Sequence, residues 1–175
     1  MEVQVLNFEK LDNAERRKIL KGIFNIFIES SNRKNFNCEK EKEDFFDLWV
    51  SPYIKNFSNF IWVALSDKGE LLGYLTGCMN TLSAMRVLNY PSLNKFKEYY
   101  HSYPAHLHIN CRSDTRGLGI GTKLVDCFVN QLKSKNSLGV HIITSVDALN
   151  ISFYKKMGLK IISTKDELLL MAQSL

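Results

Sequence analysis

Three glycines at alternate positions, Gly117, Gly119 and Gly121, lie between a predicted strand and a predicted helix. No other feature of this chain restricts its fold as much. Upstream, Ala105–Cys111 (AHLHINC) follows Pro104 and reads as a strand. Downstream, Leu124, Val125, Phe128, Val129 and Leu132 recur at helical spacing, which predicts a helix from about Thr122 to Lys135. A strand that enters a helix through such a turn aims the first, unpaired N–H groups of the helix at whatever occupies the bend. Glycines remove the Cβ atoms that would hold an anion away from those amides. Arg116, with Arg112 nearby, can add charge-assisted bonds to phosphate oxygens. These parts describe a pyrophosphate cradle; the alternative is a glycine turn that only lets strand and helix pack closely.

Spacing excludes two other phosphate loops. A dinucleotide fingerprint needs GxGxxG, and Gly117-x-Gly119-x-Gly121 is one residue short. A P-loop ends Gly-Lys-Ser/Thr, whereas Gly121-Thr122-Lys123 reverses the last two residues.

The surrounding pattern is mixed. Val3–Phe8 reads as a strand, and Asp12 or Asn13 can cap a helix running to about Ser30, with Ile19, Ile23, Ile26 and Phe27 on its apolar face. Ser31–Lys42 is polar and reads as a loop, followed by a helix over Glu43–Val50 that Ser51-Pro52 ends. Phe60–Leu65 and Leu71–Met79 flank a turn containing Gly69 and predict a hairpin. Asn80–Tyr103 is helical in pattern around Pro91 and rich in tyrosine. After the glycine turn and its helix come a strand at Val140–Val146, a helix at about Leu149–Met157 stopped by Gly158, and strands at Leu159–Ser163 and Glu167–Gln173. The expected fold class is α/β, as one domain over residues 1–175 with a helical insertion at about 80–104.

Charge and cysteine usage narrow the function. The net charge of +5 lies mostly in the C-terminal part, and the longest basic run is Arg16-Arg17-Lys18. That layout suits a small polyanion better than nucleic acid, which calls for a dense basic stripe. Cys38, Cys78, Cys111 and Cys127 are scattered with no CxxC pair, which predicts reduced thiols and a cytoplasmic setting. The N-terminal residues lack the pattern of a signal peptide, and no apolar run approaches the roughly 20 residues of a membrane span. No membrane or nucleic-acid partner is expected.

Arg116-x-x-Gly119-x-Gly121 resembles motif A of the GNAT acetyltransferase superfamily, and Asp147-Ala148-Leu149-Asn150-Ile151-Ser152-Phe153-Tyr154-Lys155-Lys156-Met157-Gly158-Leu159 resembles its motif B. The resemblance implies a central mixed, mostly antiparallel, twisted sheet splayed between strands 4 and 5, with helices on both faces. It also implies that acetyl-CoA is the donor, without a metal. Its diphosphate would lie on Arg112, Arg116, Gly117, Leu118, Gly119, Ile120, Gly121 and Thr122. Its pantetheine arm would pair with backbone at Ile109, Asn110 and Cys111, as an added strand. Asn150 and Lys156 would support the cofactor, and Tyr154 would return a proton to the departing thiolate. The Cys111 thiol is read as a packing group, since no base is evident to activate it.

The attacking amine must lose a proton, and His106 and His108, alternating on one strand face, are candidates to take it. Relatives use the other alternation phase, where this chain has Ala105 and Leu107; Asp147 likewise stands where relatives carry Asn. His106 and His108 with His101 and Cys111 also suggest a metal site, but no carboxylate completes the set, and no metal is expected. Tyr103–Ile109 further resembles the acetyltransferase-like domain of some O-GlcNAc hydrolases. The expected function is N-acetylation of a primary amine on a small molecule or peptide. The rival is an inactive acetyl-CoA-binding or protein-interaction module of the same fold. The 80–104 insertion can be a lid over the acceptor, a hydrophobic cap or a homodimer surface.

Overall fold

The computed structural model describes residues 2–175. In chain order it has β1 (Val3–Asn7), α1 (Asn13–Ser30), α2 (Glu39–Trp49), α3 (Ser51–Asn56), β2 (Trp62–Ser66), β3 (Leu71–Cys78), α4 (Thr81–Ala84) and α5 (Pro91–Asn94). There follow β4 (Ala105–Cys111), α6 (Ile120–Ser134), β5 (Gly139–Ser145), α7 (Ile151–Lys156), β6 (Lys160–Lys165) and β7 (Leu168–Ser174). The strands hydrogen-bond in the order β1-β2-β3-β4-β5-β7-β6. Pairing is antiparallel between β1 and β2, β2 and β3, β5 and β7, and β6 and β7, and parallel between β4 and β5. The parallel register holds Ala105↔Val140 and His106↔His141, the first two residues of β4. The α/β sheet expected from the sequence is present.

The chain forms two compact units, one of Met1–Thr76 with Ile109–Phe128 and one of Gly77–His108 with Val129–Leu175. In the first, a capping box starts α1: the Asp12 carboxylate accepts from the Ala14 and Glu15 amides at 2.8 and 2.9 Å, and Glu15 accepts from the Asp12 amide at 2.9 Å. Ile19, Ile23 and Ile26 are buried as their spacing predicts. Gly22 lets α1 close onto β3, because a Cβ there would come within 3.0 Å of Leu71. Phe27 instead turns toward α2, stacking on Phe45 with ring centroids 5.1 Å apart.

The largest departures from the expected boundaries are at α2 and α3. Helix α2 begins at Glu39, inside the stretch read as a loop. Its first turn carries Glu39 and Glu41, which suit a helix N-terminus, and Glu41 accepts from Asn37 and Arg33. The polarity there is that of a solvated helix. Pro52, in turn, occupies the first turn of α3, where its missing N–H costs nothing, so helix resumes after a bend at Val50.

In the second unit the segment from Thr81 to Tyr103 is a packed cap. Leu88, Tyr90, Leu93, Phe96 and Tyr100 are all buried, and the Tyr100 hydroxyl donates to the Leu93 carbonyl at 2.8 Å. Ion pairs Lys95–Asp166 and Lys165–Glu98 tie it to the β6–β7 turn. Gly139 admits it closely, since a Cβ there would lie 2.8 Å from both the Ser102 carbonyl and the Tyr103 ring. Five buried apolar side chains at about 1.5–3 kcal/mol each exceed what a chain of this size can lose. Deleting Ser83–Tyr99 is therefore expected to abolish cooperative thermal unfolding; a deletion variant with a sharp, near-native transition would show that the segment is a dispensable lid.

Candidate active site

Beyond Cys111 the chain makes one tight turn before α6, and its backbone is held from below. The Arg112 amide donates to the Leu72 carbonyl at 2.9 Å, and the buried Thr115 hydroxyl donates to the Arg112 carbonyl at 2.9 Å and to Leu72 at 3.3 Å. Leu72 and Thr115 thus anchor the turn, a role that sequence reasoning missed because neither residue belongs to a motif. Gly117 and Gly119 have φ of +81° and +75°, the left-handed region that side chains avoid. A Cβ on either would meet nothing within 4 Å. These two glycines therefore serve backbone conformation and leave open space above the turn; close strand–helix packing does not require them. Helix α6 makes its first helical bond from Lys123 to the Gly119 carbonyl, so the amides of Ile120, Gly121 and Thr122 precede its ladder. Buried Ile120, Leu124, Val125 and Phe128 fix that end of the helix.

The two arginines differ. Arg116 and Leu118 are exposed. Arg112 is committed: its guanidinium makes two bonds to Asp114, at 3.0 and 2.6 Å, and lies 3.6 Å from Glu70. Asp114 thereby stays ionised below the usual carboxylate range. Ser113 donates to Glu29 of α1. The Cys111 thiol abuts Gly73, and burial pushes its pKa up to about 11, so it remains a protonated packing group at neutral pH.

In the second unit, Val146–Asn150 forms the turn into α7. Ser145 donates to Asp147, and Thr144 donates to the Asn150 side chain at 3.5 Å. Asn150 and Lys156 are exposed, whereas Tyr154 is 5 % exposed. Gly158, with φ of +91°, closes α7 as the Leu159 amide returns to the Tyr154 carbonyl at 3.0 Å.

The strand histidines lie beneath the Thr81–Tyr103 cap. His106 is 2 % exposed, with Nδ1 2.7 Å from the Thr81 hydroxyl and 3.3 Å from the Cys78 sulfur. Thr81 donates to the Pro104 carbonyl at 2.8 Å, which leaves its oxygen to accept from His106 Nδ1. His108 keeps partial exposure and meets Tyr90 edge to face. A third ring that sequence reasoning passed over, His141, lies beside His106 and stacks on Tyr100 at 4.6 Å. Its Nδ1 donates to the Tyr103 carbonyl at 2.7 Å, and its buried Nε2 has no hydrogen-bond partner among the described residues. Burial lowers His108 and His141 to about 4 and His106 well below its ordinary value, so all three are neutral at pH 7. The His106↔His141 register could have signalled the cluster, but only once the pairing of β4 with β5 was known.

Among the described residues no three His, Cys, Asp or Glu side chains converge to hold a metal ion, and no helix is long and apolar enough to cross a membrane.

The fold of this chain is shared with solved structures across almost its whole length. The SsHAT structure superposes with a TM-score of 0.78 at 18% identity, covering 99% of this chain and 98% of that one. PH1933 from Pyrococcus horikoshii OT3 gives 0.75 at 16% identity, covering 99% of each. The PaiA N-acetyltransferase from Thermoplasma acidophilum, solved in complex with coenzyme A, gives 0.67 at 15% identity over 100% of both chains. At such identities the likeness establishes the fold. Compared by sequence with curated proteins, the chain has no significant match. Residues 21–159 match the acetyltransferase (GNAT) family, and the chain belongs to that family: it is a GNAT N-acetyltransferase with acetyl-CoA as its donor.

Proposed function

We propose that this enzyme binds the acetyl-CoA diphosphate on the turn from Arg116 to Thr122 and passes the acetyl group directly to a primary amine. The observation that carries this reading is the open space over Gly117 and Gly119, directly before the unladdered amides of Ile120, Gly121 and Thr122. Those amides and the exposed Arg116 would hold the diphosphate oxygens. The Arg112 guanidinium would contribute only by leaving Asp114, so its first role is to brace the turn. Acetyl-CoA supplies an activated thioester, and the chain's part is to orient it and manage two protons. Backbone groups of Ile109, Asn110 and Cys111, at the end of β4, would receive the pantetheine arm. An amide N–H near Ile109 or Asn110 would face the carbonyl oxygen as it gains charge.

Tyr154 would donate the proton that the leaving thiolate needs, since a phenol can act as the general acid for a departing thiolate. Of the two strand histidines, His108 keeps partial exposure and would take a proton from the acceptor, whereas His106 is buried with its Nδ1 against Thr81 and Cys78. Asn150 and Lys156, both exposed around α7, would steady the cofactor. The Tyr103–Ile109 run supports kinship with the acetyltransferase-like domain of some O-GlcNAc hydrolases, and amino sugars therefore belong in the acceptor panel.

Calorimetry with acetyl-CoA, followed by thiol release across polyamines, amino sugars, aminoglycosides and peptide N-termini, tests the proposal. Absence of binding would end it. The Tyr154→Phe variant is expected to lower kcat by roughly 100-fold while acetyl-CoA affinity changes less than about twofold. Unchanged turnover would remove Tyr154 from the mechanism.

A further inference from the structure

Tyr74 lies in β3 and Asn110 near the end of β4, both within the first unit. Tyr74 is 1% exposed, and its phenolic oxygen accepts from Asn110 Nδ2 at 3.0 Å. A phenol buried this far needs a polar partner, and Asn110 supplies it. Burial raises the Tyr74 pKa further, so the phenol stays neutral and the pair carries no charge. Asn110 itself is only half-buried. Its backbone has little freedom: the neighbouring Cys111 sulfur would touch a Cβ on Gly73 at 2.7 Å, and the Arg112 amide is tied to Leu72. With its NH2 group donated to Tyr74, the side-chain oxygen of Asn110 is the atom left to receive an N–H.

We infer that Asn110 is an acceptor-binding residue, whose side-chain oxygen receives an N–H of the incoming amine and aims the nitrogen lone pair at the thioester, and that Tyr74 is the positioning residue that holds it. This rests on the proposed function, in which the thioester lies along Ile109–Cys111. Tyr74 touches neither reactant. Without its oxygen the Asn110 amide is free to rotate, exchanging its acceptor face for its donor face, and the amine meets an N–H instead of a carbonyl.

The purified enzyme is assayed with the best amine of the panel, and acetyl-CoA affinity is measured by calorimetry. Tyr74→Phe, which keeps the ring, is expected to lower kcat/KM for the amine about tenfold with acetyl-CoA affinity unchanged. Asn110→Ala should lose at least as much, and the double variant no more than Asn110→Ala alone, because both remove one arrangement. Asn110→Asp keeps an acceptor oxygen against the Tyr74 phenol and should recover part of the loss. Wild-type amine kinetics in Tyr74→Phe, losses that multiply in the double variant, or a matching loss of acetyl-CoA affinity would each overturn the inference. If Tyr74→Phe does not fold, the Asp variant decides by recovering or failing to recover what the Ala variant loses. Failure of the wild-type enzyme to bind acetyl-CoA would instead remove the underlying proposal.

Discussion

Replacing Gly119 with valine is expected to weaken acetyl-CoA binding by more than about 100-fold while the protein stays folded. The residue sits at φ +75°, and the space where its Cβ would project is empty. Folding therefore bears only the backbone strain of a β-branched residue in the left-handed region, about 1–3 kcal/mol. For a chain of this length that corresponds to a Tm lower by roughly 3–10 °C. The ligand fares worse. The added side chain fills the approach to the amides of Ile120, Gly121 and Thr122, and a strained turn that relaxes redirects them. Calorimetry and a thermal melt on the same sample separate the two effects. A folded variant that binds acetyl-CoA as tightly as the wild type would show that the diphosphate lies elsewhere.

Acid is expected to destabilise the fold steeply, well before the carboxylates titrate. His141 is fully buried between the Tyr103 carbonyl, the Tyr100 ring and His106, and none of these groups can neutralise an imidazolium. Its folded pKa of about 4 lies below the ordinary 6.5 of the unfolded chain. The unfolded state thus binds the proton first. The contribution is complete above pH 6.5, shrinks as pH falls through that value, and is exhausted near pH 4. A displacement of about 2.5 pH units amounts to roughly 3 kcal/mol for this one ring. His108 and His106 act in the same direction, since their pKa values are also depressed by burial. Urea midpoints measured between pH 7.5 and 4.5 should fall progressively, and His141→Phe should flatten the slope even if it lowers stability at pH 7.5. A midpoint independent of pH across that interval would mean that the histidines are not held neutral.

The same cluster illustrates where sequence reasoning stops. His106 and His108 are legible in the sequence as alternating residues on one strand face, and so as candidates for the base. Whether that face is open or covered depends on the segment from Thr81 to Tyr103, whose buried Leu88, Tyr90, Leu93, Phe96 and Tyr100 pack it down. Nothing local to β4 encodes that cover. Arg112 gives a parallel lesson. Near a glycine turn its charge suggests a phosphate ligand, and in the fold it pairs with Asp114, two residues on, and lies 3.6 Å from Glu70, just before β3. The start of α2 was missed for a simpler reason. Its first turn is polar and solvated, and in a one-dimensional reading a solvated helix and a loop look alike.

By itself the amino-acid sequence determined the features that depend on near neighbours along the chain. These are the capping box at Asp12 and Glu15, the hairpin around Gly69, the α6 stripe from Leu124 to Leu132, and the left-handed turn at Gly117 and Gly119. Backbone sterics, capping and periodicity act over a few residues, so a few residues suffice to read them. The tertiary structure alone decided which side chains remain available for chemistry. It buried His106 and His141, engaged Arg112, paired Tyr74 with Asn110, and set His106 against His141 in the β4–β5 register. Burial and pairing between distant segments set those outcomes, because desolvation and partner geometry arise only when the strands and the cap have come together.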